Sequence, residues 1–186
     1  MASSTRIAQR YALALKNQAL SDNQLEQVAT DMQTVMHAVN TSDELTALLN
    51  SPVIRHHAKV NIFKELFGTS ISSLMMNFLI MVTEKSRESI LPDIASAFTD
   101  LYNAEKNLLP VHFTTAIEVD EAMKTKLIDM IAKKMGKTVV PQFSIDESIK
   151  GGITIRIADT MIDASLRHQL DMLYRELTGS ATHSMA

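Results

Sequence analysis

The stretch PVHFTTAI, residues 110–117, marks the point at which the periodicity of the sequence changes. Every second residue is expected to face the same way, which is typical of a strand. One face is predicted to carry Val111, Phe113, Thr115 and Ile117, and the other His112, Thr114 and Ala116. Before this stretch, apolar residues recur every three or four positions, as in amphipathic helices. The sequence therefore predicts an α+β protein with a helical part, residues 1–106, and a small mixed part, residues 107–186.

The helical part is predicted to be an antiparallel bundle of six helices joined by short turns. The clearest helix covers residues 21–40, where apolar side chains fall on one face. Ser21 with Gln24, and Thr41 with Glu44, have the spacing of reciprocal capping pairs. These two pairs predict the starts of two helices.

The second part is predicted to have the order β-α-β-β-α. Asp120 is expected to cap its first helix, and Thr138–Ile145 alternates as a second strand. Pro141 favours an edge position for that strand, because proline cannot donate to a ladder. The glycine pair at 151–152 precedes a third alternating stretch, and residues 165–177 carry a final amphipathic pattern.

Composition and charge exclude several classes of protein. The 186 residues contain 18 basic and 21 acidic side chains, a formal net charge of −3, which argues against nucleic acid as a partner. The chain has no cysteine, which excludes disulfides and thiolate metal sites. Its most apolar stretch, Leu74 to Val82, is less than half of the ~20 residues needed to span a bilayer. No direct membrane span is predicted.

A nucleotide-binding hypothesis rests on Gly136, Lys137 and Thr138, which have the order that ends a phosphate-binding loop. The position that should hold an earlier glycine is Ile131, and the triplet is predicted to end a helix rather than begin one. A small nucleotide-binding protein or phosphohydrolase that uses these residues with Asp163 is the alternative to the interpretation developed below.

Other polar clusters have simpler explanations. The neighbours His56 and His57 point about 100° apart on a helix, so no metal site is predicted there. Asp163, Ser165 and His168 include catalytic residue types, but their spacing in one segment favours helix initiation over a converging triad. No catalytic residue, metal ligand or cofactor is predicted.

Two helices are apolar on more than one side. The first has a stripe through Tyr11 and Leu15, with Leu13 and Ala14 beside it, and the stretch 74–82 is apolar around much of its circumference. Such a helix is either fully buried or covered by another molecule. Core packing and a groove that receives an amphipathic partner helix therefore both remain open.

The order and spacing of many residues resemble one family, the delta subunit of F-type ATP synthases, called the oligomycin-sensitivity-conferring protein in mitochondria. In the first part the similar residues include Arg10, Tyr11, Ala12, Leu48, Leu49, Ser51, Pro52, Ile54, Lys59, Phe67, Asn77, Phe78, Leu79, Arg87, Leu91, Pro92, Ile94 and Phe98. The most specific set, in the second part, is Gly151, Gly152, Asp159, Ile162, Asp163, Ser165, Arg167 and Leu170. One position departs from the family pattern: Lys16 stands where an aromatic or aliphatic residue is common.

The resemblance implies a non-enzymatic adaptor of the peripheral stalk, the stator that keeps the catalytic head from turning with the rotor during proton-driven ATP synthesis. Residues 1–106 are then expected to bind the N-terminal helices of the alpha subunits through the first and fifth helices. Residues 107–186 are expected to contact the b subunits. The positions expected to contact the head are Tyr11, Ala14, Leu15, Phe78, Leu79 and Val82.

The resemblance also implies a location. The first residues contain no apolar signal core and no transit peptide precedes Ser3, which favours the bacterial form of the family. The expected place is the cytoplasmic face of the inner membrane, as a peripheral part of the ATP synthase complex.

Overall fold

The architecture is taken from a computed structural model, which describes residues 2–51 and 53–179. The chain divides into two compact units, Met1–Glu105 and Lys106–Ala186. The described residues form eight α-helices and one four-stranded mixed sheet. The α+β class predicted from the sequence is confirmed.

The described part of the first unit contains six helices and one short 3₁₀ turn. The helices are α1 (Ala2–Ser21), α2 (Leu25–Thr41), α3 (Asp43–Asn50), α4 (His56–Phe67), α5 (Ser73–Glu84) and α6 (Leu91–Glu105), with the 3₁₀ turn at Glu88–Ile90. Their apolar faces meet in one core whose largest fully buried side chains include Phe63, Phe98, Met75, Leu79 and Leu91. Burial of these faces is the main stabilising contribution to the unit.

The first helix packs most extensively along α6. Its buried face has the spacing 4, 3, 4 and consists of Ala8, Ala12, Leu15 and Ala19. Because three of these four side chains are methyl groups, the two helix backbones can approach closely. Lys16 lies beside this face and its Nζ is 2.8 Å from Glu105 Oε2 of α6. The polar residue at this position therefore makes an ion pair between the two helices.

Both capping predictions in the first unit are wrong. Ser21 is the last residue of α1, and its hydroxyl donates to the carbonyl of Asn17 at 3.0 Å. Thr41 likewise ends α2, and the cap of α3 is Ser42, whose Oγ accepts from the Leu45 amide at 3.1 Å. The hydroxyls of Ser21 and Thr41 bond to carbonyls of the preceding turn, an alternative that competes with capping.

The second unit has one strand more than predicted, so its order is β-α-β-β-β-α. Its elements are β1 (Leu108–Thr115), α7 (Glu121–Met135), β2 (Thr138–Ile145), β3 (Gly152–Ile157), β4 (Thr160–Ser165) and α8 (Leu166–Gly179). The strand order is β2-β1-β3-β4, with β1 and β2 parallel and the other neighbours antiparallel. The strand β4 was not predicted. Five of its six residues are exposed, so buried and exposed residues do not alternate along it.

The core of the second unit lies between α7 and one face of the sheet. Val111, Phe113 and Ile131 are buried there, and the rings of Phe113 and Phe143 stack with centroids 4.9 Å apart. Ile117, predicted to share one face of β1 with Val111 and Phe113, lies beyond the end of the strand and is 75% exposed. The edge position predicted for β2 from Pro141 is observed.

The glycines at 136 and 152 allow a direct test of backbone constraint in this unit. Both have positive φ, +64° and +79°, but a Cβ would meet nothing within 4 Å at Gly136 and would lie 2.3 Å from the Ala164 carbonyl oxygen at Gly152. We expect Gly136→Ala to lower the free energy of unfolding by about 1 kcal/mol, through strain alone. Gly152→Ala should cost about 2–3 kcal/mol, because strain and a backbone clash add.

Urea unfolding of the full chain, followed by the NMR amide signals of β3, measures both losses. Equal losses for the two variants would contradict the role of close packing at Gly152.

Candidate functional site

The candidate site in the first unit is a groove between α1 and α5. The late residues of α1 face the early residues of α5, so the two walls run in opposite directions. Between them the rings of Tyr11 and Phe78 meet edge to face, with centroids 6.5 Å apart and an interplanar angle of 71°. This contact fixes the two aromatic side chains in the middle of the groove.

The groove has two compartments. The first, of about 490 Å³, is lined by Ala14, Leu15, Gln18, Asp22, Gln24, Ser73, Leu74, Asn77, Phe78 and Met81. The second, of about 440 Å³, is lined by Ile7, Arg10, Tyr11, Ala14, Met81 and Arg87. Because Ala14 and Met81 line both, the compartments form one continuous surface.

Four of the six residues expected from the sequence to contact the head line this groove. Ala14 is exposed and Tyr11 is half-buried, whereas Leu15 and Phe78 are almost fully buried and lie at the bottom. Leu79 and Val82 are each 1% exposed and belong to the core, so they do not line the groove. When a helix is apolar on all sides, the sequence alone does not show which side faces the core.

Four groove residues on α5 were missed by the sequence reasoning: Ser73, Leu74, Asn77 and Met81. Leu74 is half-buried, Asn77 is exposed, and Met81 is 38% exposed although it is apolar. These last three residues are three and four positions apart, and Phe78 lies between them, so helical spacing from Phe78 was the signal that could have identified this face.

A buried carboxylate holds the beginning of α5. Asp31 of α2 is 1% exposed, and its Oδ2 accepts from the backbone amide of Ser72 at 2.8 Å. Its Oδ1 accepts from Gln27 Nε2 at 2.8 Å. Ser72 in turn caps α5, because its hydroxyl accepts from the Met75 amide at 3.2 Å. A negative charge at a helix N-terminus also interacts favourably with the helix dipole.

A buried ion pair holds the segment that follows α5. Lys59 of α4 is 2% exposed and donates to a carboxylate oxygen of Glu88 and, at 3.1 Å, to the Leu49 carbonyl. The other oxygen of Glu88 is buried and has no hydrogen-bond partner among the described residues. Glu88 follows Arg87 in the chain, so the pair fixes the backbone beside a groove residue.

In the second unit, the residues that resemble the family signature hold one turn and one helix start. The Leu166 amide donates to the Gly151 carbonyl at 2.9 Å. A Cβ on Gly151 would lie 2.6 Å from the Leu166 side chain. Ser165 caps α8, because its hydroxyl accepts from the His168 amide at 3.1 Å. The glycine pair and the cap thus bring the loop before β3 against the start of α8.

Asp163 has a different role from the helix cap expected of it. It lies in β4, and its Oδ1 accepts from the Ser165 amide at 2.9 Å. Hydrogen bonds from the Ser165 hydroxyl and amide hold the pKa of Asp163 below its ordinary value, and the charges of His168 and Arg167 act in the same direction. Asp159 lies in the turn between β3 and β4, and Arg167 lies exposed in the first turn of α8.

The helix α8 presents an apolar stripe that the described part of the second unit leaves about half exposed. Leu166, Leu170 and Leu173 are spaced by four and three residues and are 47%, 54% and 52% exposed. Met172 and Tyr174 are also more than half exposed. An exposed stripe of this kind indicates a surface for another protein.

The segment Gly136, Lys137 and Thr138 does not have the geometry of a phosphate-binding loop. Gly136 ends α7 in the left-handed conformation, and Thr138 begins β2. The amides of this segment therefore lie at the negative end of the helix, where an anion is disfavoured.

Among residues 2–51 and 53–179, no three His, Asp or Glu side chains are placed to hold one metal ion. Within the same residues, no helix combines the length and apolar character that crossing a bilayer requires.

Comparison with known proteins gives one consistent family. A family model described as "ATP synthase delta (OSCP) subunit" matches residues 7–177. The ATP synthase subunit delta of Desulforamulus reducens is 35% identical over 164 residues, which cover 88% of this chain and 91% of that protein. The subunit delta of Chloroherpeton thalassium is 31% identical over 175 residues, or 94% and 96% of the two chains.

A solved structure is similar over almost the same length. A chain in the cryo-EM structure of the Toxoplasma gondii mitochondrial ATP synthase hexamer matches with a TM-score of 0.74 and 25% sequence identity. The match covers 91% of this chain and 96% of that chain.

The buried ion pair beside α5 can be tested through the stability of the fold. We expect Lys59→Met to lower the free energy of unfolding by about 3–5 kcal/mol, because it leaves the Glu88 carboxylate buried without a cation. Lys59→Met combined with Glu88→Gln should recover a large part of this loss. Lys16→Met, which breaks the partly exposed pair with Glu105, should cost at most about 1 kcal/mol.

Urea unfolding of the full chain measures the three losses. Equal destabilisation by Lys59→Met and Lys16→Met would show that burial does not increase the contribution of the Lys59 pair to the free energy of unfolding.

Proposed function

Because this chain belongs to the ATP synthase delta (OSCP) subunit family, we propose that it holds the catalytic head of the enzyme to the b subunits of the peripheral stalk. As a member of this family it is a non-catalytic subunit of ATP synthase. Its proposed function is mechanical: it keeps the head from following the rotor while proton flow drives ATP synthesis.

The groove between α1 and α5 is the proposed site for the N-terminal helices of the alpha subunits. The observation that carries this proposal is an open groove with an apolar bottom of Leu15, Phe78 and Met81, bounded by polar residues at its ends. From Ile7 to Gln18 the α1 wall extends about 16 Å, at 1.5 Å per residue. A partner helix of about three turns fills that length, and docking of an amphipathic helix into an apolar groove is a common recognition mode.

A connection that bears torque has to release slowly. Differences in release rate between related complexes come mainly from well-packed anchors in a desolvated centre, while peripheral charges mainly change the rate of association. Tyr11 and Phe78 meet edge to face in the middle of the groove, where a partner helix would cover them. This arrangement supports a long-lived complex.

The second unit is proposed to contact the b subunits through the apolar stripe of α8. The stripe has the spacing of one helix face and is exposed along its length. The b subunits are then the molecules that cover it.

The proposal has two further parts. The six helices of the first unit act as an antiparallel bundle. The chain is a peripheral component on the cytoplasmic face of a bacterial inner membrane.

The groove is tested with a synthetic peptide of the alpha-subunit N-terminus from the same organism and the full chain. We expect binding by isothermal titration calorimetry that persists in molar NaCl, because burial of apolar surface is not screened by salt. Ala14→Asp and Met81→Asp should each weaken binding by about tenfold or more, since a charge is then placed in the apolar centre.

The matched control for these variants is Leu66→Asp. Leu66 lies on α4, is 53% exposed and does not line the groove. All three variants should keep the helical circular dichroism of the parent chain. Loss of binding in Leu66→Asp with full binding in Ala14→Asp would place the docking surface elsewhere.

The α8 stripe is tested by co-purification with the b subunits. Leu170→Asp should reduce retention of the full chain on immobilised b subunit by about tenfold, because it puts a charge into an apolar interface. Met130→Asp, at a position of α7 that is 58% exposed, is the control and should be retained like the parent chain. Unchanged retention of Leu170→Asp would exclude the α8 stripe as the contact.

A further inference from the structure

The two compartments of the groove differ in charge. Arg10 and Arg87 line the compartment near the end of α5, and none of the six residues that line it is acidic. In the other compartment, Asp22 is the one charged residue among ten. Its Oδ2 accepts from Gln18 Nε2 at 2.9 Å. The groove is therefore basic at one end and weakly acidic at the other.

Arg87 is carried on a fixed backbone. Its amide donates to the Val82 carbonyl at 3.0 Å, which ties it to the last turn of α5. The next residue, Glu88, forms the buried ion pair with Lys59. A charged side chain on a rigid support loses less freedom when it binds and selects its partner more sharply.

The ends of the groove would lose water contact when a partner helix covers them. A guanidinium group that is covered without a counter-charge is destabilising, whereas one that meets a carboxylate can form two parallel hydrogen bonds. Glu84, the last residue of α5, and Lys85, which follows it, are exposed, have opposite charges and do not line either compartment. The two arginines thus determine the charge that a ligand meets at this end.

We propose that Arg10 and Arg87 bind carboxylate side chains of the docked helix. The groove then selects a segment that is acidic where it covers the two arginines and is basic or uncharged where it covers Asp22. This inference rests on the proposed docking of a helix between α1 and α5. It also accounts for specificity, because the order of charges along the partner helix determines which way round the helix lies in the groove.

The test is a double-mutant cycle with two probes. The first is the alpha-subunit N-terminal peptide from the same organism, and the second is a copy in which every Asp and Glu is replaced by Asn and Gln. The proteins are the full parent chain and the variant Arg10→Gln with Arg87→Gln. We expect the parent chain to bind the acidic peptide about tenfold more tightly than the neutral copy at low salt, as is typical of coupled charges at an interface.

The arginine variant should bind both peptides with the same affinity, close to that of the parent chain for the neutral copy. The preference of the parent chain should also disappear in molar NaCl, leaving the apolar part of the binding. Arg55→Gln is the control, since Arg55 is exposed and lies outside the groove, and it should keep the preference.

Two results would overturn the proposal, and they are distinguishable from failure of the docking function. If the arginine variant prefers the acidic peptide as strongly as the parent chain does, groups other than Arg10 and Arg87 bind the carboxylates of the peptide. If the parent chain binds both peptides with equal affinity, the acidic side chains of the peptide do not contribute to binding. Absence of binding of either peptide to the parent chain would instead reject docking in the groove, and this inference with it.

Discussion

The groove depends on the position of α5, and two buried charged contacts fix that position. The Asp31 carboxylate accepts from the Ser72 amide before the helix begins, and the pair of Lys59 with Glu88 holds the chain just after it ends. A buried charged group favours the arrangement in which it is paired or hydrogen-bonded, because any other leaves it without a partner. The core can then pack against one side of α5 while its other side remains open toward α1.

The two units present different surfaces for different partners. The first offers a concave groove whose shape exists before binding, so little ordering is required of the protein when a helix docks. The second offers a convex stripe on α8, which starts at the Ser165 cap and lies against the glycine turn. Lys59 in the first unit and Ser165 in the second, both among the residues that resemble the family, position backbone and helices. Apolar residues form the main part of both proposed contacts, and Arg10 and Arg87 add a charged part at one end of the groove.

The sequence was sufficient for the class of the fold and for the faces of the amphipathic helices, because burial follows helical spacing directly. It was insufficient at three kinds of place. Caps were displaced where a hydroxyl bonds back to the preceding turn, as at Ser21. The exposed strand β4 carries no alternation. The helix α5 is apolar around much of its circumference, and tertiary packing determines that Leu79 and Val82 lie in the core while Met81 faces the groove.

The most direct measurement of the central claim is site-specific cross-linking in the assembled enzyme, which is simple here because the chain has no cysteine. A photo-reactive maleimide on Ala14→Cys should attach to the alpha subunit near its N-terminus, and the same reagent on Leu66→Cys should not. Attachment to alpha from Leu66→Cys and none from Ala14→Cys would contradict docking between α1 and α5.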